Sequence, residues 1–135
     1  MAPLTVSACM IKPTVKLSPS LLVVEAARKL IENKSLGAPV IDENQKLVGW
    51  ISEVDCLEAV MQVAYYDQRV AVISDVMRTE VLSVEPSDSA LDLVAQMKGA
   101  KPKLYPVVED GRLVGIISRR LILSALCDLI GKKAS

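Results

Sequence analysis

The chain has 135 residues, 51% of them hydrophobic, with 16 basic and 16 acidic side chains and no histidine. That apolar content excludes disorder, and a formal net charge of zero gives no field to hold a nucleic-acid backbone or an anionic membrane, so any anion site is local. Without histidine, and with Cys9, Cys56 and Cys127 far apart and in no Cys-x-x-Cys spacing, the residues argue against a metal site or a histidine-based triad.

The N-terminus, Met1-Ala2-Pro3-Leu4-Thr5-Val6, lacks the basic and apolar pattern of a secretion signal. The most apolar stretch, residues 121–130, is too short for a membrane span and carries Asp128. The expectation is a cytoplasmic, soluble protein whose cysteines are reduced and serve as small core residues.

Thr14-Val15-Lys16-Leu17 reads as a short extended piece, and residues 20–34 place Leu22, Ala26, Leu30 and Val23, Ala27, Ile31 at helical spacing. Pro39-Val40-Ile41-Asp42 and Leu47-Val48-Gly49-Trp50-Ile51-Ser52 read as two strands of a hairpin. Residues 53–68 form a helix with Val54, Leu57, Met61 and Ala64 on one face, closed by Tyr65-Tyr66 as an interface or linker anchor. The pattern then starts again. Val81-Leu82-Ser83-Val84 is extended; residues 89–99 are helical with Ser89-x-x-Asp92 as an N-terminal box. The basic loop Lys101-Pro102-Lys103 follows, and Asp110-Gly111 joins two strands as a tight-turn pair. The last helix runs from Arg119 to about residue 130.

Ser7, Met10, Pro19, Ser20, Lys34, Pro39 and Val40 recur 67 positions later, and Leu47, Val48, Gly49, Ile51, Ser52, Leu57 and Ala59 recur 66 positions later. The chain is therefore one β-α-β-β-α unit written twice, over residues 1–68 and 69–135, in an α/β (α+β) fold. Each unit leaves a sheet face to cover, which predicts two sheets packed about a pseudo-twofold axis. Two small units cannot bury much apolar surface, and mean hydropathy is +0.36, so a homodimer is expected.

Gly49-Trp50-Ile51-Ser52-Glu53-Val54-Asp55 after Pro39-Val40-Ile41-Asp42 resembles a cystathionine β-synthase (CBS) domain, and two in tandem resemble a Bateman module. The resemblance runs from about Leu4 to Ile130, which implies a stand-alone pair. It implies a regulatory binder of an adenosyl ligand in the cleft between the repeats: AMP, ADP or ATP first, S-adenosylmethionine or NAD less so. The ligand state would be passed to an effector protein of unknown identity. Carried over, Ser52 contacts a phosphate and Asp55 the ribose, with adenine in an apolar slot near Thr14, Val15, Ala38, Pro39 and Val40. A carboxylate can accept from both ribose hydroxyls, and helix-start N–H groups attract an anion.

Ser52-x-x-Asp55 is equally the pattern of a capping pair, and one hydroxyl can serve both roles. In the second copy Ser118 remains, but Leu121 stands where Asp55 would be, so at most one full ribose site per chain is expected. Arg119 and Arg120 fall in a first helical turn, where the dipole disfavours cations; facing a phosphate would explain them, as would solvation. Glu53 holds the matching position in the first copy. Lys101 and Lys103 could add charge at the cleft rim, and Trp50 is expected to pack rather than stack on a base. No nucleophile has an adjacent base and no Walker-type loop occurs, so an enzyme is not expected. The contrasting reading is a ligand-free structural dimer or protein-interaction module.

Overall fold

A computed structural model describes residues 3–99 and 101–134. In chain order the elements are α1 (Val6–Cys9), α2 (Val23–Glu32), β1 (Gly37–Ile41), β2 (Leu47–Ser52), α3 (Glu53–Tyr66), α4 (Ile73–Val76), α5 (Ala90–Gln96), β3 (Leu104–Glu109), β4 (Arg112–Ser118) and α6 (Arg119–Ala134). The fold is α+β, with two small antiparallel sheets, β1–β2 and β3–β4.

One compact unit is Thr14–Val81. Within it, α2 buries Val23, Ala26 and Leu30, the spacing that marked it as a helix, while Ile31 faces solvent. β1 pairs with β2 so that Gly37 lies opposite Ser52 and Pro39 opposite Trp50. The extended piece before α2 contributes a single parallel bridge, Leu17 to Val40, rather than a strand. Proline explains this. Leu17 N–H donates to the Pro39 carbonyl and Ile41 N–H to the Leu17 carbonyl, but the next rung needs a donor that Pro39 lacks. Pro106 limits the Val84–Val107 bridge of the other unit in the same way.

α3 starts directly from β2 and ends at Asp67, which adopts a left-handed φ of 53°. Its core-facing residues are Cys56, Ala59 and Val60. Val54, Leu57, Met61 and Ala64, the face that signalled the helix, point to solvent instead. The four do share one face of a helix, and that face is the exposed one.

The second unit is discontinuous: the segment before Thr14 joins the residues from Leu82 onward. Val6 and Cys9 of α1 sit in one core with Leu93, Tyr105, Ile117 and Ile122. Ile11 exchanges backbone hydrogen bonds with Ile116 on β4, at 3.1 and 2.9 Å, and Ala90 N–H donates to the Leu4 carbonyl. In the other unit α4, which follows the first repeat's closing helix, supplies fully buried Ile73. Each repeat's four-residue opening helix thus belongs to the core of the opposite repeat. The compact units consequently do not follow a boundary between residues 68 and 69.

The Asp110-Gly111 turn has φ of 53° and 79°, as a two-residue hairpin of this hand requires. Ser89 caps α5 by accepting from Asp92 N–H. Lys103 donates its ammonium to the Met97 and Gly99 carbonyls, so it closes the end of α5 rather than offering a free charge. Cys9 and Cys56 are buried, and burial, with the Asp55 charge added for Cys56, pushes both thiols up. Cys127 departs from the core expectation and is exposed on α6.

Candidate functional site

The junction of β2 and α3 is where the chain concentrates hydrogen-bonding potential. Ser52 is the N-cap, with extended φ and ψ of −101° and 165°. Its hydroxyl accepts from Asp55 N–H at 3.1 Å, and Asp55 Oδ2 accepts from Ser52 N–H at 3.0 Å. This is a complete capping box, which satisfies two otherwise orphaned donors and places a negative charge on the positive helix end. Glu53 N–H donates to the Leu36 carbonyl, tying the helix start to the residue before β1.

Asp55 has a second partner that sequence reading missed. Arg78 Nη2 donates to Oδ1 at 3.3 Å and Nε to Oδ2 at 3.4 Å. The carboxylate side chain is 15% exposed and the arginine 66%. Arg78 is delivered by its backbone, which exchanges hydrogen bonds with Trp50 at 2.9 Å each way along the free edge of β2. That approach is possible because of Gly49: a Cβ there would lie 2.9 Å from the Arg78 carbonyl oxygen and 2.5 Å from Met77 Sδ. Trp50 packs its indole over Gly37. The signal for Arg78 lay in the repeat register. Arg78 matches Ile11 as Asp55 matches Leu121.

Burial works to raise the Asp55 pKa, but the Ser52 backbone hydrogen bond, the Arg78 hydrogen bond, the Ser52 hydroxyl and the Arg78 charge outweigh it and hold the carboxyl low. A carboxyl lowered on folding stabilises the protein above its unfolded value, about 3.9, and loses that contribution as pH falls through the folded value. Asp55→Ala is therefore expected to cost about 1 kcal/mol at pH 7, a difference that shrinks by pH 3. Urea denaturation of both proteins at the two pH values checks this.

The other expected residues are spread along the same unit. Val15, Ala38 and Val40 have their side chains in the hydrophobic core, and Pro39 is buried, so of the expected adenine contacts in this group none presents more than a small surface. Thr14 is exposed. β1 connects them to the helix start, since Ala38 adjoins Gly37, the cross-strand partner of Ser52. In the second unit Ser118 still caps α6, accepting from Leu121 N–H at 3.2 Å, without a returning carboxylate. Arg119 and Arg120 are exposed in the first turn, and among the described residues neither has an acidic partner within ion-pairing distance. Among the described residues, no cluster of metal-ligating side chains occurs and no helix is long and apolar enough to cross a membrane.

The chain is a tandem of one α+β unit, each copy opening its last helix from a strand at a capping serine, with a returning carboxylate in the first copy. The chain belongs to the CBS domain family: residues 6–62 and 73–128 each match a CBS domain. It is 30% identical over 133 residues to the CBS domain-containing protein CBSX1, chloroplastic, of Arabidopsis thaliana, covering 79% of this chain and 56% of that one. It is 32% identical over 117 residues to protein MJ1232 of Methanocaldococcus jannaschii, covering 86% of this chain and 37% of that one. The chain thus spans about half or less of the length of these relatives. Among solved structures it resembles CBSX2 in complex with AMP, with TM-score 0.79 and 31% identity over 93% of this chain and 97% of that one. It also resembles the CBS domain pair of protein MJ0100 in complex with 5'-methylthioadenosine and S-adenosyl-L-methionine, with TM-score 0.76 and 26% identity over 98% and 99%.

Proposed function

We propose that this chain is a non-enzymatic regulatory module that binds an adenosyl ligand, AMP, ADP or ATP ahead of S-adenosylmethionine or NAD, and passes ligand state to an effector protein. The observation that carries the reading is the Asp55 carboxylate. It is ionised, fixed at a helix start by Ser52, and among the described residues its Oδ1 is held by a solvent-exposed guanidinium alone, which a ribose diol can replace. Ser52 and the start of α3 take the phosphate side, and the segment of Thr14, Val15 and Ala38 to Val40, where Thr14 is exposed, takes the adenine. Arg119 and Arg120, exposed at the start of α6, belong to the proposal as candidate phosphate contacts. The AMP complex of CBSX2 and the adenosyl complexes of MJ0100 support the ligand class.

A homodimer belongs to the same reading. Leu57 and Tyr65 on α3 are 62% and 80% exposed, and Leu123 and Ile130 repeat the pattern on α6. Apolar helix faces of this kind suit a partner surface. Free thiols suit a reducing compartment such as the cytoplasm.

Calorimetric titration with AMP, ATP, S-adenosylmethionine and NAD, with sedimentation on the same samples, tests both parts. AMP or ATP is expected to bind, and Asp55→Ala to weaken AMP by about tenfold or more while leaving inorganic phosphate nearly unchanged. Silence across the panel with a dimer in the centrifuge would favour a ligand-free dimerisation module.

A further inference from the structure

We propose that Arg78 is a specificity-determining latch on the ribose carboxylate, which makes the site select phosphorylated adenosyl ligands over bare nucleosides. The inference rests on the ligand reading above and adds a residue and a selection rule to it. The starting point is how completely Asp55 is used. Oδ2 already accepts from Ser52 N–H, and both oxygens face the fork of Arg78. A ribose diol brings two donors to a carboxylate with one acceptor site left, on Oδ1, so to engage both hydroxyls it must displace a bond of the guanidinium.

The pair is built to exchange. Its distances of 3.3 and 3.4 Å are longer than the 2.7–2.9 Å of a tight charge-assisted bond. The Arg78 backbone is anchored to β2 through Trp50, whereas its side chain is 66% exposed and free to turn about that anchor. A nucleoside that displaces the guanidinium returns nothing to it. A nucleotide brings a phosphate toward the start of the same helix, and the released guanidinium can bind it.

The second unit supplies an internal comparison. Its backbone repeats the arrangement, with Ile11 bridged to Ile116 as Arg78 is to Trp50, and Gly115 below Met10 and Ile11 as Gly49 is below Met77 and Arg78. There the two positions are Ile11 and Leu121. The acid and the base are replaced together by two aliphatic residues, as expected if the two positions act as one device.

The test compares AMP with adenosine by calorimetry on wild type, Arg78→Gln and Arg69→Gln, the last removing the same charge from an exposed position after α3. Loss of the latch is expected to raise adenosine affinity by about threefold, the scale of an exposed ion pair. AMP affinity falls, so the preference for AMP over adenosine drops by about tenfold or more. Arg69→Gln leaves the preference in place. If wild type binds AMP and Arg78→Gln changes the preference by less than about twofold, or Arg69→Gln lowers it equally, the latch is overturned while the ligand reading stands. If neither wild type nor Arg78→Gln binds either compound, the ligand reading fails and takes the latch with it.

Discussion

Deletion of residues 1–12 is expected to unfold β3, β4 and α6, which lie more than 90 residues further along the chain, before it disturbs β1 and β2. The deleted segment carries Val6 and Cys9, both members of the core that includes Tyr105, Val107, Ile117 and Ile122. Burying a valine is worth about 1.5–3 kcal/mol, and the deletion also strips the Ile11 hydrogen bonds from the outer edge of β4. Against a domain stability of roughly 5–15 kcal/mol, these losses together are severe. The core of residues 14–81 contains no residue from the deleted segment. Hydrogen exchange should show amides of Val107 and Ile117 losing protection well before those of Val40 and Ile51; equal loss in both sheets would contradict the assignment.

Gly49→Ala should cost about 1–3 kcal/mol, the range for forcing atoms into a filled core. Met77 Sδ can swing aside, being the end of a flexible side chain, but the Arg78 carbonyl 2.9 Å away is main chain bonded to Trp50 N–H. Relieving the clash therefore moves the Arg78 backbone off β2 and takes its guanidinium from Asp55. Thermal denaturation should show the loss, accompanied by a shift in fluorescence of Trp50, the sole tryptophan. Gly111→Ala, at a turn position with open space but φ of 79°, strains the backbone without touching the site, and separates general destabilisation from the local effect.

Much of this was legible in the sequence because duplication reports itself. The hairpins, the positions of the long helices and the Ser52–Asp55 box all follow from spacing between residues close in the chain. What escaped notice depended on distant partners. The side on which α3 is buried cannot be read from Val54, Leu57 and Met61, since small residues at Cys56, Ala59 and Val60 fill the core side and the larger ones face out. Arg78 carries no local signal, since it lies 23 residues beyond Asp55 and the bridge to Trp50 brings the two together. Lys103 read as loose charge because nothing local shows that helix carbonyls await it.

The discontinuity of the second unit also has a consequence for how the chain is made. Residues 14–81 are contiguous, so during synthesis that unit has all its parts once Val81 has left the ribosome. Val6 and Cys9 emerge earlier, yet their core partners Ile117 and Ile122 are made only after Val81. Until then the apolar turn at Val6 and Cys9 lacks its partner core, and its docking closes a long loop. The unit of residues 14–81 therefore has all its parts before the other unit does, and the segment before Thr14 becomes native only after residues beyond Leu82 have been made.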